Sequence, residues 1–128
     1  MSYTFNKTLD LDFDNAIETV TKALAEEGFG VLTTIDVKAT LKKKIDVDFR
    51  PYMILGACNP SLAHKALLAE PNIGTMLPCN VVVQVNEHGK TKVSAVDPAA
   101  SMQAVDNPKL AEIAGGVRDK LQKVIDSL

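Results

Sequence analysis

The chain has 128 residues, 46% of them hydrophobic, and 14 basic residues stand against 16 acidic ones, for a formal net charge of -2. This size and hydrophobic content predict one domain over residues 1–128 with a single core. The near balance of charge gives no electrostatic reason to expect nucleic acid or an anionic membrane as a partner.

The N-terminal residues do not have the pattern of a secretion signal. The segment Met1–Asn6 lacks a basic stretch followed by an apolar run, and no part of the chain approaches the roughly 18 apolar residues of a membrane span. We therefore expect a cytoplasmic protein. In that compartment Cys58 and Cys79 are expected to be reduced thiols, with a transient disulfide as the alternative.

The first predicted elements are a strand and a helix. Ser2–Leu9 alternates apolar and polar residues with the two-residue period of a strand that has one buried face. Asp12 is the expected N-cap of the helix, and Gly28 stands where a C-terminal cap is needed. Between them, apolar residues recur at helical spacing: Phe13, Ile17, Val20 and Leu24.

A second strand and a short helix are predicted next. Alternation along Phe29–Val37 predicts the strand, and Asp36 is the expected cap of a helix that runs to Lys44. The helix carries four lysines: Lys38, Lys42, Lys43 and Lys44. A solvated face is the favoured interpretation, since lysines near a helix C-terminus also suit the helix dipole, and an anion-binding patch is the alternative.

The middle of the chain predicts a connector, a central strand and a helix. Ile45–Pro51 alternates apolar and charged residues before a proline, which is typical of an extended connector. Tyr52–Ala57 is a continuous apolar run of strand length, as expected for a central strand. Asn59 as N-cap and Pro60 at the first helical position then begin a helix that ends near Glu70.

A hairpin is predicted after a loop at Pro71–Gly74. Its strands are the valine-rich run Val81–Val85 and Thr91–Val96, joined by the tip at residues 86–90. The pair Asp97-Pro98 is expected to end the second strand and turn the chain.

The last predicted element is a long helix that begins with Asn107 and Pro108. Its apolar stripe contains Leu110, Ile113, Ala114, Val117, Leu121, Val124 and Leu128. Gly115-Gly116 lies inside the helix and lowers its propensity, so we expect close packing against a strand or partner helix there, with a kink as the alternative.

The order of elements is strand, helix, strand, short helix, strand, helix, two strands and helix. This order predicts an α+β fold, a two-layer sandwich in which a mainly antiparallel sheet has its helices packed on one face. The other face is then either polar or covered by a second copy of the chain. The predicted strands Tyr52–Ala57 and Val81–Val85 are mostly apolar and suit burial on both faces, so we expect a homodimer.

The cysteines are the strongest functional signal. Cys58 lies immediately before the predicted cap Asn59, where free amide hydrogens and the helix dipole favour a thiolate, although Pro60 removes one donor. Cys79 follows Pro78 at the entrance to a strand. Each thiol is interpreted in three ways: a small apolar residue that only packs, a reactive or ligand-binding group, or a metal ligand.

Other candidate residues are weaker. A metal site would need donors such as His64, Met76 or Met102, but no Cys-x-x-Cys or His-x-x-x-His spacing is present, so no metal is predicted and no cofactor is identified. His64 and Asp97 are tentative ligand-binding residues and, with Asp36, candidate bases for a cysteine nucleophile. Simpler roles are an exposed helix residue for His64 and a strand end for Asp97.

Several of these segments together resemble a known family. They are Leu55-Gly56-Ala57-Cys58-Asn59-Pro60, the helix with Ala63 and Leu67, then Pro71, Ile73-Gly74, Leu77-Pro78-Cys79 and the valine-rich strand. Glu27-Gly28-Phe29, Asp36-Val37 and Asp97-Pro98 extend the likeness over essentially the whole chain. The resemblance is to the domain of unknown function 302 family. It implies a compact α+β sandwich, usually a homodimer, in bacteria or archaea, and it implies no activity.

Two functional hypotheses follow from the residues. In the first, the chain is a binding module for a small ligand or a partner, with a groove bordered by Cys58, Asn59, Pro78 and Cys79. In the second, it is a thiol-dependent redox or sulfur-transfer enzyme that uses Cys58, Cys79 or both as catalytic residues. An interaction protein whose cysteines only pack is the third possibility.

Overall fold

The structure is a computed structural model that describes residues 2–128, and Met1 lies outside the described residues. Five strands, five α-helices and one 3-10 helix follow one another along this part of the chain. The strands are β1 (Thr4–Leu9), β2 (Gly30–Asp36), β3 (Tyr52–Cys58), β4 (Cys79–Val85) and β5 (Thr91–Val96). The helices are α1 (Phe13–Glu26), α2 (Val37–Ile45), α3 (Pro60–Ala69), the 3-10 helix (Pro71–Met76), α4 (Pro98–Ser101) and α5 (Pro108–Ser127).

The strands form one sheet in the order β1-β5-β4-β3-β2, and every neighbouring pair is antiparallel. Helices α1 and α5 pack against one face of this sheet. The predicted α+β fold, with an antiparallel sheet and helices on one side, is confirmed. Strand β3 lies between β2 and β4, as predicted for its continuous apolar run.

Side-chain caps define where the main helices begin. The carboxylate of Asp12, for example, accepts a hydrogen bond of 2.8 Å from the backbone N–H of Asn15. Such bonds satisfy amides that have no partner inside the helix. All four caps predicted for α1, α2, α3 and α5 are confirmed: Asp12, Asp36, Asn59 and Asn107. Gly28 follows α1 with φ +84°, the conformation that favours glycine at a helix end.

Strand β2 departs from the prediction because its register shifts. Val31 pairs with Ala57, whereas Thr33 pairs with Gly56, so one extra residue stands between them as a β-bulge. The bulge moves Thr33 and Ile35 to the opposite face from Val31. A single alternating face along this strand was therefore the wrong prediction.

Two short helices were also missed. The predicted loop at Pro71–Gly74 is the 3-10 helix, and the chain turn predicted at Asp97-Pro98 is the start of α4. Helices of six and four residues are too short to show a helical period in the sequence, so periodicity cannot detect them. Strand β4 begins at Cys79, two residues before its predicted start, because Cys79 pairs with Ala57.

The buried apolar residues form two clusters. The sheet cluster joins α1 and the C-terminal half of α5 to the strands, and residues such as Val20, Leu24 and Val81 have no exposed surface there. The helical cluster is smaller and lies among α3, the 3-10 helix, α4 and the N-terminal half of α5. Its buried members are Ala66, Ile73, Met102, Leu110 and Ala114.

The sheet face away from α1 and α5, the open face, mixes apolar and polar side chains. Its central strands contribute the cross-strand pair Ile54 and Val82, both half-buried. Polar residues occupy much of the remaining area: Asn6, Asn80, Gln84, Lys92 and Ser94. The hydroxyl of Ser94 donates a hydrogen bond of 2.7 Å to the amide oxygen of Asn6.

Candidate functional site

An apolar cavity of about 40 Å³ lies where the two clusters meet, and we call it the junction cavity. A water-sized sphere needs about 10–15 Å³, so the junction cavity has room for about three. The ends of β3 and β4 supply one wall with Ala57, Cys58 and Cys79. The helices supply the others, with residues that include Ala66, Met102, Leu110, Ile113, Ala114 and Val117.

Four residues predicted to border one groove all line this cavity. They are Cys58, Asn59, Pro78 and Cys79. Strand pairing brings them together, because Cys79 at the start of β4 lies opposite Ala57, one residue before the end of β3. The two turn segments thus meet at one end of the sheet.

Both ends of the Asn59 side chain are engaged within the chain. Its amide oxygen accepts a hydrogen bond of 3.3 Å from the N–H of Leu62, and its amide nitrogen donates one of 3.5 Å to the carbonyl of Glu27. The second bond joins the start of α3 to the turn after α1. Gly28 in this turn leaves room for the Asn59 amide, because a Cβ at residue 28 would lie 3.0 Å from Nδ2 of Asn59. Asn59 therefore closes the cavity wall with its polar atoms already satisfied.

Cys79 is a buried, neutral thiol. Burial raises the pKa of its thiol from 9.0 to about 11, and the nearby charge of Cys58 adds to the rise. At neutral pH the thiolate needed for nucleophilic chemistry is therefore scarce at this position. Cys58 is only half-buried, so of the two it is the better candidate for a reaction with an external molecule.

The two thiols are neighbours without being placed as a disulfide pair. They lie on adjacent strands, one residue out of register, so their Cα atoms are separated by about 6 Å. Consecutive side chains of a strand alternate between faces, so Cys58 and Cys79 start from opposite faces of the sheet. Both thiols are free in the structure.

The other two predicted site residues lie outside the cavity lining. His64 is exposed on α3, on the surface away from its cavity-lining neighbours Leu62 and Ala63. Asp97 is buried and caps α4, where its carboxylate accepts hydrogen bonds from the N–H groups of Ala99 at 3.0 Å and Ala100 at 3.4 Å. A ligand-binding role for His64 and Asp97 stays a prediction.

Asp97 has a further structural partner in α5. Its second carboxylate oxygen lies 3.3 Å from Nε of Arg118, whose guanidinium also stacks over the ring of Phe5. This ion pair joins the end of β5 to α5. Both carboxylate oxygens of Asp97 thus have partners within the fold.

The soft donors considered for a metal are separated. Met102 is buried in the cavity wall, whereas Met76 is exposed at the end of the 3-10 helix. Within residues 2–128, no group of three or more His, Cys, Asp or Glu side chains is arranged to hold a metal ion. The same residues contain no helix that is both long and apolar enough to cross a membrane.

Sequence reasoning missed the helical walls of the cavity. Leu110, Ile113, Ala114 and Val117 belong to the apolar stripe that was predicted for α5, so their burial was detectable but their meeting with the cysteines was not. Met102 follows α4, which the sequence did not predict.

Comparison with known proteins places the whole architecture in a recognised group. Residues 5–128 match the family described as "Domain of unknown function DUF302". A crystal structure of an uncharacterized conserved protein of that family from Bacillus stearothermophilus aligns with a TM-score of 0.91 and 31% sequence identity, over 98% of each chain. A search of curated proteins found no match.

Proposed function

The chain belongs to the DUF302 family, and on that premise we propose that it is a binding module that holds a small apolar ligand in the junction cavity. The observation that carries the proposal is the meeting of Cys58, Asn59, Pro78 and Cys79 around one apolar cavity at the border of two buried clusters. Apolar side chains that line an unfilled cavity lack contacts with partner atoms on that side. A ligand that fills it recovers the missing contacts.

The cavity lining restricts the ligand to a neutral, mainly apolar molecule. Aliphatic side chains and two thiols form most of the wall, and the amide of Asn59 is already hydrogen-bonded. A charged group placed there would lose its hydration without gaining a partner. Polarisable sulfur atoms suit contact with a small apolar group.

The proposed module is a homodimer that associates through the open face. Ile54 and Val82 form an apolar centre on that face, Ile35 extends it toward the edge strand, and polar residues surround it. An apolar centre within a polar rim is the usual anatomy of a protein interface.

Sedimentation velocity should show a dimer that Ile54→Lys dissociates, while Thr8→Lys at the rim of the same face leaves it intact. A monomeric wild-type chain would contradict this part of the proposal.

Thiol-dependent redox or sulfur-transfer chemistry is the second candidate, favoured by the half-buried position of Cys58 just before α3. In this candidate Cys58 is the nucleophile, because the raised pKa of Cys79 makes that thiol unreactive at neutral pH. Alkylation of Cys58 in a Cys79→Ser variant, measured against pH, separates the candidates. A midpoint well below 8 favours the enzyme, and a midpoint near the ordinary value of about 8.5 favours the binding module.

Xenon tests the binding proposal directly, because this apolar atom enters small dry cavities. We expect xenon to shift the methyl NMR signals of Ala57, Ala66 and Ala114, and to leave those of exposed alanines unchanged. Ala114→Leu should fill the cavity and abolish the shifts. Ala111→Leu, an exposed change on the same helix, is the matched control.

A milder variant protects this test against misfolding. Ala63→Val adds two methyl groups at a half-buried position of the cavity wall. It should weaken the xenon shifts even if Ala114→Leu is too disruptive to fold. Shifts that keep their full size in Ala63→Val, or that spread over exposed alanines, would contradict the proposal. Mass spectrometry of natively purified protein then searches for a retained small molecule.

A further inference from the structure

The chain crosses between the sheet cluster and the helical cluster at four places. It enters the helical cluster after Cys58 and after Asp97, and it returns to the sheet through Leu77-Pro78. The fourth crossing lies inside α5, between Ala114 of the helical cluster and Val117, which packs on the sheet cluster.

Three of the four crossings are stiff. Each contains or adjoins a proline, whose ring fixes φ: Pro60, Pro78 and Pro98. Two of these crossings are held further by hydrogen bonds: the Asn59 side chain donates one and accepts one, and the carboxylate of Asp97 accepts others. The helical cluster thus stays attached to one end of the sheet at these three segments, so a movement relative to the sheet is a rotation about them.

The fourth crossing contains Gly115-Gly116, and packing against the described residues does not explain these glycines. A Cβ built on either one would meet no heavy atom within 4 Å. Close packing against another described element, which the sequence led us to expect, was therefore the wrong prediction. Each glycine lowers the helix equilibrium by about fivefold relative to alanine, so the pair lowers it by about 20-fold.

The glycine pair also lies beside the cavity. Ala114 and Val117, the residues that flank it, both line the junction cavity. The weakest point of α5 is therefore at the boundary of the two clusters, beside the junction cavity, whose wall includes half-buried residues such as Cys58 and Ala63.

We propose that Gly115-Gly116 is a hinge. Bending of α5 at the pair lets α3, the 3-10 helix, α4 and residues 108–114 rotate together about the three stiff crossings, which widens the junction cavity. Asn107 supports motion as one body, because its side-chain nitrogen donates a hydrogen bond of 2.8 Å to the carbonyl of Ala69 and so joins the start of α5 to the end of α3. The use of this motion for ligand entry rests on the proposed function, whereas the motion itself does not.

Cys79 reports on the opening, because its thiol is buried in the cavity wall and reacts only when exposed. The experiment measures labelling of folded protein by 4,4′-dithiodipyridine, an uncharged disulfide, in a Cys58→Ser background. When reclosing is faster than labelling, the rate is proportional to the equilibrium constant for opening. Gly115→Ala/Gly116→Ala should slow the labelling of Cys79 by about 20-fold.

A matched substitution distinguishes hinge bending from complete unfolding. Ala111→Gly introduces a glycine at an exposed position of α5 within the moving body. Bending at the hinge leaves that turn helical, so labelling should stay unchanged. Complete unfolding breaks every turn, so labelling would then accelerate by about fivefold, and this result would overturn the hinge.

Denaturant gives an independent readout. Local opening exposes little surface, so the labelling rate should depend on urea much less steeply than global unfolding does. A slope equal to that of global unfolding would also overturn the hinge. The xenon experiment is independent of the labelling and urea experiments. If Cys79 is labelled through hinge bending but xenon does not bind, only the binding proposal is wrong. If xenon binds but Cys79 is labelled only through global unfolding, only the hinge is wrong.

Discussion

The sheet cluster and the helical cluster are built from the same kinds of residues but differ in how completely they are packed. In the sheet cluster, α1 and half of α5 cover a five-stranded sheet, and many side chains have no exposed surface. The helical cluster has five buried residues, two half-exposed or exposed leucines on its outer helix, Leu67 and Leu68, and the cavity at its base. The comparison indicates that the sheet cluster supplies most of the stability and that the helical cluster is the part able to move.

The largest expected effect is a cavity mutation in the sheet cluster. Leu24→Ala removes a side chain with no exposed surface and should lower the free energy of unfolding by about 2–5 kcal/mol in urea titrations. Ile73→Ala in the helical cluster should lie at the low end of that range, because the surroundings of Ile73 have more freedom to collapse.

Amide hydrogen exchange extends this comparison. Ile73→Ala should accelerate exchange in α3 and in residues 108–114 while leaving the strands protected. Leu24→Ala should instead accelerate exchange throughout. Equal losses of stability in the two variants, with uniform exchange in both, would mean that the clusters unfold as one unit.

The second effect is a dependence of stability on pH at the boundary of the clusters. Burial, and then the charge of Cys58, raises the pKa of Cys79 to about 11 from 9.0. Between these values the unfolded chain has released the thiol proton and the folded chain has kept it, so stability falls as the pH rises. The contribution is complete below about pH 9 and lost above about pH 11. It amounts to about 2–3 kcal/mol at 1.36 kcal/mol per pKa unit.

A variant isolates this contribution from the other groups that titrate in alkali. Urea titrations at several pH values should show a steeper fall between pH 9 and pH 11 for the wild-type chain than for Cys79→Ala. Cys58→Ser should retain most of the slope, since burial is the larger cause of the shift. Parallel curves for the wild-type chain and Cys79→Ala would contradict the burial of this thiol.

The third effect concerns the strand that forms the cavity wall. A Cβ at Gly56 would collide with Oγ1 of Thr33 and lie 2.8 Å from Cγ of Pro78. Gly56→Ala should therefore destabilise the chain by about 1–3 kcal/mol through overpacking. Gly30→Ala is the matched control, because its Cβ would meet no atom within 4 Å, and it should be nearly neutral in the same thermal and urea titrations.

These residues also show how far sequence reasoning extends. Capping chemistry is local, so Asp12, Asp36, Asn59 and Asn107 could be assigned from a few neighbours each, and the hairpin strand Thr91–Val96 was predicted with its observed bounds. The β2 bulge was not predictable, because it depends on which residues of β3 lie opposite. Alternation along β2 alone does not contain that information.

For the candidate site as well, local features could be predicted from the sequence and tertiary contacts could not. The turn segments at Cys58 and Cys79 were identified because each lies beside a strand end, and the β3–β4 pairing brings them together. The helical walls required knowledge of tertiary packing. The open space beside Gly115-Gly116 is the clearest example, since the sequence favoured close packing over a kink and could not show which atoms surround the pair.

The smallest expected effect comes from the ion pair that joins a stiff crossing to α5. Asp97→Asn keeps a side-chain oxygen to cap α4 but removes the charge that faces Arg118, whose side chain is 42% exposed. Because the guanidinium is partly in solvent, the loss should be only about 0.5–1 kcal/mol. Asp97→Ala should lose about 1 kcal/mol more, since the cap is lost as well. Urea titrations at low and high salt check the assignment. Salt should reduce the difference in the free energy of unfolding between Asp97→Asn and the wild-type chain, because it screens the ion pair. It should not change the additional loss in Asp97→Ala, which comes from the cap. If the two variants were equally stable, the capping bonds from Ala99 and Ala100 would contribute nothing, and the rigidity assigned to this crossing would rest on Pro98 alone.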